Sequence, residues 1–494
     1  MYQLEFGREE IEEAARTGRL LALEIELGLG RNPRCPHCFV PRRSACIDQL
    51  SEAEIRDVVL QAKDLGAKRI SILDGELKPH RRLSPITRFV RSQGLEVEVF
   101  TNGAGISAGL ARELFGDRVP VVLRMDSLDE EIQDMLGGPR GSFELVRRAL
   151  ERLKAAGYPS GEGSLRVDTV ICRENVDEIV SLWRWLRAQE IACRFEVAGP
   201  RPDAGEGKWL HVDPARVNQV FAEIGEIERS QYGREWDPQP PRWGNGCMLH
   251  KFSCLVCSQG DVLPCVGVNA PIGSVRRQRL GDIIGESEIL EDLRGHTATI
   301  KGPCSSCEES ATCYGCRGAA YQLTGDYLAS DPYCWRSSDR QDEIVCLPVP
   351  ADGIIPQELP MRIVDEIVSV GERSGEISVA VSAEMPFVGE DGAVDGGIYL
   401  ELIAQSIAAL NGFKQLGGSQ EPSGGYLVGA QNLEILGSAR VGDVLTISVY
   451  KDLRFGGFGI VKGTVSRDDT ILARGEIKIW REAWGISGPT GPVE

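Results

Sequence analysis

Cysteines are the residues of this chain whose number and spacing point most clearly to chemistry. Two of them, Cys35 and Cys38, lie in a Cys-Pro-His-Cys stretch that follows the apolar run Leu20–Leu29. Nine of the fifteen cysteines fall between Cys247 and Cys334, several of them in C-x2-C pairs. Such clustering is typical of metal or iron–sulfur ligation. The sequence therefore predicts one metal site near residue 35 and a larger metal-binding array after residue 246.

The composition argues against several classes of partner. The formal net charge of −18 disfavours binding to a nucleic-acid backbone or to anionic membranes. No apolar run in the sequence reaches the roughly 20 residues that a membrane span requires, and the acidic start of the chain lacks the layout of a signal peptide. We therefore expect a cytoplasmic protein, in which cysteines stay reduced and can bind metal.

The elements that would position these cysteines begin with an alternation of strands and helices. Amphipathic helical stretches such as Ser51–Leu65 lie between six strand-like runs. The predicted strands are Leu20–Leu29, Lys68–Leu73, Leu95–Phe100, Val119–Arg124, Leu165–Cys172 and Ala192–Ala198. Six strand–helix units within residues 1–200 predict a parallel sheet wrapped by helices, as an open or closed α/β barrel. Ligands of such sheets bind at the carboxyl ends of the strands.

The rest of the chain divides into three segments. Residues 201–245 are rich in Pro, Gly and charge and are interpreted as a bridge. Residues 246–336 show little periodicity, so we expect ligand bonds rather than a hydrophobic core to hold them. Residues 347–494 combine alternating strand patterns with one long apolar helix at about Gly397–Phe413, which predicts an α+β domain.

Residues 20–200 resemble the radical S-adenosylmethionine (SAM) superfamily. The resemblance rests on motifs that occur in the family's order: Cys35-x2-Cys38, Asp74-Gly75-Glu76, Thr101-Asn102-Gly103, Arg124-x-Asp126-Ser127-Leu128 and Glu174-Asn175. In that family a C-x3-C-x2-C loop holds a [4Fe–4S] cluster, SAM chelates the open iron, and electron transfer cleaves a C–S bond of SAM. The resemblance implies that SAM is contacted by Glu76, Asn102, Arg124 and Asp126.

One departure from the family concerns the first cysteine of the loop. Arg31 stands at that position, and a guanidinium stays protonated and cannot ligate iron. Three interpretations remain open. Cys46 supplies the third ligand, or a cluster forms with His37 or with a solvent or substrate ligand, or the site is degenerate and the barrel is a scaffold.

The cysteines after residue 246 resemble the SPASM domain, the auxiliary-cluster module of radical SAM peptide-modifying enzymes. The matching pattern is Cys247-x12-Gly260-x4-Cys265, then Cys304-x2-Cys307-x5-Cys313-x2-Cys316, then Cys334. The resemblance implies two auxiliary [4Fe–4S] clusters. Their ligands would be Cys247, Cys254 or Cys257, Cys265 and Cys316 in one, and Cys304, Cys307, Cys313 and Cys334 in the other. Structural zinc is the alternative, since it also binds C-x2-C pairs.

The last third of the chain resembles hot-dog 3-hydroxyacyl-carrier-protein dehydratases. The resemblance rests on Ile355-Pro356-Gln357, on Glu401-Leu402-Ile403-Ala404-Gln405 and on Gly456-Gly457-Phe458-Gly459. It implies that Glu401 holds the position of the catalytic acid and that two copies of the domain pair as a homodimer. No histidine follows His296, so the usual base is missing. Acyl or carrier binding, a structural role in dimerisation and unconventional catalysis remain the alternatives.

These resemblances together predict a radical SAM/SPASM enzyme. It would cleave SAM reductively, with electrons from a flavodoxin or ferredoxin, and modify an acyl, carrier-bound or peptide substrate. The hot-dog domain would bind an acyl group or an acyl carrier protein. The alternative is a non-catalytic iron–sulfur partner protein that has lost the SAM cluster and recognises other proteins through its hot-dog surface.

Overall fold

The structure is a computed structural model of the chain, which forms two compact units, Met1–Ile344 and Val345–Glu494. It describes residues 6–28, 48–73, 82–138, 140–160, 164–198, 211–236, 238–240, 247–371, 373–414, 425–455, 457–468 and 470–481. In this described part, no helix is both long enough and apolar enough to cross a membrane.

The first unit is built on a parallel sheet. Its strands are β1 (Ala22–Glu26), β2 (Arg69–Leu73), β3 (Glu96–Thr101), β4 (Val121–Arg124), β5 (Leu165–Ile171) and β6 (Ala192–Val197). The helices around them are α1 (Arg8–Thr17), α2 (Glu52–Asp64), α3 (Leu83–Ser92), α4 (Ala108–Gly116), α5 (Glu130–Gly137), α6 (Ser142–Ala156), α7 (Ile179–Arg187) and α8 (Pro214–Tyr232). The six strands pair in sequential order, each parallel to its neighbours. The predicted partial α/β barrel is confirmed.

Local capping explains where two of these helices begin. Ser51 Oγ accepts the N–H of Glu54 at 3.2 Å, and the Glu54 carboxylate accepts the N–H of Ser51 at 2.7 Å. This reciprocal capping box satisfies N–H groups that the start of α2 would leave unpaired. Asp129 caps α5 by accepting the N–H groups of Glu131 and Ile132. The second cap fixes how the chain turns away from the carboxyl end of β4.

Three short strands of the cysteine-rich segment extend the same sheet. They are β7 (Leu255–Val256), β8 (Asp261–Leu263) and β9 (Gly273–Ser274). β7 pairs parallel with β1, and β8 and β9 follow antiparallel, so the order is β6-β5-β4-β3-β2-β1-β7-β8-β9. Strands this short carry no readable periodicity. The α-helices of this segment are α9 (Leu249–Phe252), α10 (Leu280–Gly285), α11 (Glu288–Arg294), α12 (His296–Thr299) and α13 (Arg317–Thr324). The first unit also has 3-10 helices at Val176–Glu178, Gly302–Ser306 and Trp335–Glu343.

The expectation that ligand bonds rather than a hydrophobic core hold residues 246–336 is wrong for the part next to the sheet. Val256, Val262 and Leu280 are buried in the same apolar core as Leu23 and Ile25 of β1. Burying side chains of this size stabilises a fold by roughly 1.5–3 kcal/mol each. The cysteine-rich segment therefore shares the core of the barrel.

The second unit is an antiparallel sheet packed on one long helix. Its strands are β10 (Val349–Pro350), β11 (Glu366–Val370), β12 (Ser374–Ala380), β13 (Gly425–Ile435), β14 (Val444–Phe455), β15 (Phe458–Arg467) and β16 (Thr470–Arg481), and its helix is α14 (Ile398–Phe413). The order is β10-β11-β12-β14-β15-β16-β13. A Cβ added to Gly463 would lie 2.5 Å from Ile403 Cγ2, so the helix rests directly on the sheet backbone there. The predicted α+β layout is confirmed.

Candidate functional site

The carboxyl edge of the parallel sheet is where the predicted SAM site would lie. The N–H of Leu27 donates to the carbonyl of Leu73 at 3.1 Å, so the chain leaves β1 and β2 side by side at this edge. The segments that follow carry five of the predicted site residues or alternatives, and these lie outside the described residues: Cys35, His37, Cys38, Cys46 and Glu76. The predictions about them stay untested.

Asp126 has one carboxylate oxygen held by the protein and one that is not. It is fully buried just after β4. Its Oδ1 lies 2.8 Å from Arg124 Nε and accepts the N–H of Val170 at 2.7 Å. Its Oδ2 is buried and has no hydrogen-bond partner among the described residues. Since buried acceptors are normally paired, this oxygen fits a ligand that brings a hydroxyl or amine donor, as SAM does.

Two buried amides fix the backbone around Asp126. Gln133 Oε1 accepts the N–H groups of Asp126 and Ser127 at 2.8 and 3.0 Å. Asn175 Nδ2 donates to the carbonyls of Asp126 and Val170 at 2.7 and 2.8 Å. Gln133 was not among the predicted site residues. The sequence feature that could have indicated it is a polar residue three positions before Leu136, on the buried side of α5.

Asn102 differs from Asp126 in its surroundings. It follows β3 and is exposed, and its Oδ1 accepts the N–H of Ala104 at 2.9 Å. This side-chain turn holds the chain as it leaves the sheet. The structure thus places Asn102, Arg124 and Asp126 at the same edge, on the adjacent strands β3 and β4.

Ion pairs line the polar face of the parallel sheet. Glu98 accepts a hydrogen bond from Ser71 at 2.7 Å and pairs with Arg166 at 2.5 Å. Asp168 pairs with Arg194, and this contact raises the pKa of Arg194 although burial alone would lower it. Removing one partner of such a pair would leave an uncompensated buried charge. These residues therefore make the inside of the barrel polar and rigid.

A first set of cysteines gathers around Cys265. Burial raises the pKa of the Cys265 thiol, and the nearby Cys316 and Cys247 thiols raise it further. A Cβ added to Gly267 would lie 2.6 Å from Gly318 Cα, so the backbones beside Cys265 and Cys316 touch. The structure therefore brings together three of the four cysteines predicted for the first auxiliary cluster.

A second set gathers around Asp331. Burial, together with the charges of Asp331 and Cys304, raises the pKa of Cys334 to about 12 and that of Cys313 to about 11. The N–H of Cys307 donates to the carbonyl of Cys304 in the same turn, at 3.4 Å. This set corresponds to the second predicted cluster.

Cys254 and Cys257 lie in two different apolar clusters. Cys254 is buried in the apolar core of the barrel, and burial raises the pKa of its thiol to about 12, although the nearby Arg294 lowers it. Cys257 is buried in a separate apolar cluster with Leu255 and Leu263. The prediction that one of these two thiols completes the first set stays untested.

The two sets meet in the loop Cys313–Cys316. Within the described residues, no three His, Cys, Asp or Glu side chains converge closely enough to hold a single metal ion. Arg317 follows the loop and is buried, and its Nε and Nη2 have no hydrogen-bond partner there. Donors left unpaired beside two sets of thiols fit an anionic group such as an iron–sulfur cluster, whose sulfurs accept hydrogen bonds.

Glu401 lies in the first turn of α14, where the sequence analysis expected the acid. Gln405 Nε2 donates to Glu401 Oε1 at 2.9 Å and to the carbonyl of Met361 at 2.8 Å. Gln405 Oε1 accepts the N–H of Ile363 at 3.0 Å, and the Gln405 side chain is fully buried. The amide thus orients the half-buried carboxylate of Glu401.

Three family models match this chain. Residues 27–186 match the radical SAM superfamily, residues 247–308 match SPASM, an iron-sulfur cluster-binding domain, and residues 349–484 match ApeP-like, the ApeP dehydratase. The first two families imply [4Fe–4S] clusters and SAM as cofactors, which favours iron–sulfur clusters over zinc. Together, the matches confirm each of the three resemblances.

Relatives and solved structures match mostly the first two thirds of the chain. An AdoMet-dependent heme synthase of Methanosarcina barkeri is 26% identical over 346 residues, which are 64% of this chain and 96% of the relative. A PqqA peptide cyclase of Streptomyces rochei is 28% identical over 352 residues, which are 66% and 92% of the two chains.

Among solved structures, Streptococcus suis SuiB bound to S-adenosylmethionine matches with a TM-score of 0.51 at 18% identity, over 66% of this chain and 81% of SuiB. A chain of the dehydratase heterocomplex ApeI:P from Xenorhabdus doucetiae covers 28% of this chain at 26% identity and a TM-score of 0.26, over 93% of its own length. The SuiB match shows a shared fold over 66% of this chain. The chain therefore combines a radical SAM domain, a SPASM iron–sulfur cluster-binding domain and a C-terminal ApeP-like dehydratase domain.

Proposed function

We propose that this protein is a radical SAM enzyme that cleaves SAM reductively and modifies an acyl, carrier-bound or peptide substrate. The observation that carries the proposal is the unpaired, buried Oδ2 of Asp126 at the carboxyl edge of the sheet. An acceptor of this kind is costly to leave unpaired, and SAM brings the hydroxyl and amine donors that would satisfy it.

The residues of the barrel would bind and orient SAM. Asp126 Oδ2 would accept a hydrogen bond from SAM while Oδ1 stays fixed by Arg124 and by the N–H of Val170. The bound cluster and SAM would supply one-electron cleavage of a C–S bond. Exposed Asn102 would contact SAM from the neighbouring strand, and Glu76 would contact it from the segment after β2.

The hot-dog domain would bind the substrate rather than dehydrate it. Glu401 is oriented by Gln405 but no histidine follows His296 in the chain, so a proton-abstracting imidazole would have to come from elsewhere. The domain keeps the acid without the base, which supports binding of an acyl group or of an acyl carrier protein. The edge strand β13 would pair two copies as a homodimer.

The test of the proposal is SAM cleavage by the whole protein. The anaerobically reconstituted protein, reduced with dithionite or with a flavodoxin or ferredoxin, should release 5′-deoxyadenosine from SAM. Adding acyl carrier protein loaded with a 3-hydroxyacyl group, or a peptide library, should raise the rate with the correct class of substrate. A protein that holds its iron but forms no 5′-deoxyadenosine would refute the proposal.

A non-catalytic iron–sulfur partner protein is a second candidate, because Arg31 replaces the first cysteine of the SAM loop. It predicts about eight irons per chain, which fill two four-iron clusters, and no loss of iron on Cys35→Ala. The enzyme predicts about twelve irons and a loss of about four on Cys35→Ala. Iron counting before and after Cys35→Ala and Cys46→Ala separates the two candidates and shows whether Cys46 is a ligand.

A further inference from the structure

Arg317 is a buried cation whose hydrogen bonds are only partly satisfied. It is the first residue of α13, its exposed fraction is 1%, and it is among the largest fully buried side chains of the described chain. Nη1 donates to the carbonyls of Tyr327 at 3.0 Å and Ala329 at 2.5 Å. Nε and Nη2 are buried and have no hydrogen-bond partner among the described residues. A buried charge with unpaired donors is strongly unfavourable unless something compensates it.

The unpaired side of the guanidinium lies at the loop that joins the two cysteine sets. A Cβ added to Gly315 would come within 2.9 Å of Arg317 Nη2, and Gly315 has a φ of +65°. Only glycine adopts this backbone conformation without strain. The short distance to Nη2 shows that the loop and the guanidinium lie in contact. Gly315 stands between Cys313 of the second set and Cys316 of the first.

Asp331 is a buried carboxylate that contacts the same loop. Asp331 Oδ2 accepts the N–H of Cys316 at 2.7 Å, and its Oδ1 accepts the N–H of Tyr333 at 2.9 Å. The N–H of Gly315 donates to Cys313 Sγ at 3.4 Å, so the glycine that touches the guanidinium is hydrogen-bonded to a second-set thiol. Arg317 is thus a cation within electrostatic reach of a second-set cysteine, and its donors are still available.

We infer that Arg317 compensates the charge of the auxiliary cluster held by the second set, Cys304, Cys307, Cys313 and Cys334. The inference rests on the proposed iron–sulfur content of this segment. A four-thiolate cluster carries net negative charge, and its reduction potential depends on nearby charge and on hydrogen bonds to its sulfurs. Arg317 supplies both a fixed positive charge and two unused donor atoms. It is a positioning residue that raises the reduction potential of this cluster and so favours its reduced state.

The test is a redox titration of the reconstituted protein, followed by the electron paramagnetic resonance signal of each cluster. Arg317→Gln keeps a hydrogen-bonding amide but removes the charge. At a fixed potential, we expect the ratio of reduced to oxidised second-set cluster to fall about tenfold, which is 59 mV for a one-electron couple. The other clusters should change much less.

Arg294→Met is the matched control. Arg294 is also an arginine with an unpaired buried Nη2, but it lies beside Cys254 in the barrel core rather than at the loop. We expect this variant to leave the second-set potential unchanged. Equal potentials in Arg317→Gln and the wild type, with full iron content, would overturn the inference, and so would an equal shift of all clusters.

Arg317→Lys decides the matter if the glutamine variant does not retain iron. Lysine keeps the charge but not the planar donor fork, so we expect a shift in the same direction that is smaller than tenfold. A fall of tenfold or more in Arg317→Lys, which keeps the charge, would overturn the inference. These potentials are measured without SAM turnover, so a protein that forms no 5′-deoxyadenosine would refute the proposed enzyme and leave this result standing.

Discussion

Asp126 shows how a single residue can be both structural and available. One oxygen is fixed by Arg124 and by the N–H of Val170, while the backbone N–H of Asp126 is held by Gln133. The second oxygen is left for a ligand. Because the neighbours already determine its position, binding a ligand there would require little reorganisation.

Asp126→Asn tests that separation of roles. The amide can still accept the N–H of Val170, but the charge on the free oxygen is lost. A hydrogen bond to a charged group contributes roughly 1.5–3 kcal/mol, so we expect SAM affinity to fall about 10- to 100-fold in the folded variant. Equilibrium dialysis with labelled SAM measures the affinity.

Asp129→Asn is the control for that measurement. It makes the same chemical change three residues away, at the N-cap of α5, where asparagine caps as well as aspartate. SAM affinity should match the wild type. An equal loss in both variants would show that the effect comes from the loop and not from the free oxygen of Asp126.

Cys254 gives a second prediction for single residues. Its thiol lies in the apolar core of the barrel rather than with Cys265. We therefore expect Cys254→Ala to keep the full iron content and to lose about 1 kcal/mol of stability, whereas Cys265→Ala should lose about four irons. Iron analysis of the two purified variants checks this, and loss of a cluster in Cys254→Ala would make Cys254 a ligand.

The sequence predicted residue types better than residue roles. Cysteine clustering predicted a metal-binding array, because C-x2-C spacing is a local property of the chain, and the resemblance to the SPASM domain implied the division into two sets. Asp126 was identified by a motif. The contacts of Gln133, Gln405 and Arg317 form only when the chain has folded, so no motif indicated these residues. No local pattern marks a buried amide as the residue that orients a carboxylate.

At the scale of elements, the packing of α14 on its sheet depends on glycine. Gly463 on β15 lies against Ile403, with no space for a Cβ. We expect Gly463→Ala to destabilise the second unit by about 1–3 kcal/mol, because overpacking displaces the helix that carries Glu401. Denaturant unfolding of the full chain, followed by a probe in the second unit, measures the change.

Gly429→Ala is the matched substitution on β13. No atom lies within 4 Å of the position that its Cβ would occupy. This variant should unfold at the denaturant concentration of the wild type. Similar destabilisation in both variants would show that alanine is tolerated no better in an open strand position than at the helix contact.

The strands and helices of both units were largely predictable, because long amphipathic periods dominate their sequences. The predicted strand Leu20–Leu29 is shorter in the structure, at Ala22–Glu26, since apolar residues also continue past a strand end. The pairing of β7 with β1 was not predictable. A two-residue strand gains its partner from the tertiary fold, and the periodicity of its own residues says nothing about it.

At the scale of the whole molecule, β13 is the outer strand of its sheet in the described structure. Its exposed apolar side chains include Tyr426, Leu427 and Val428. An apolar edge strand is a template for pairing with a second chain. We expect the protein to be a homodimer in solution and Val428→Glu to make it monomeric, as measured by light scattering after gel filtration.

Val441→Glu is the control for the dimer. Val441 is similarly exposed in the same unit but lies outside β13. The control should remain dimeric. A wild-type monomer, or dimers in both variants, would show that β13 does not join two copies.

The parallel pairing of β7 with β1 also bears on how the chain folds during synthesis. Ile25 and Val256 are register partners. β1 can therefore pair with β7 only after most of the first unit has been synthesised. Contacts this distant in sequence slow folding. Until then β1 is an open edge of the sheet. A nascent or truncated chain that ends before residue 247 would be prone to aggregate along that edge.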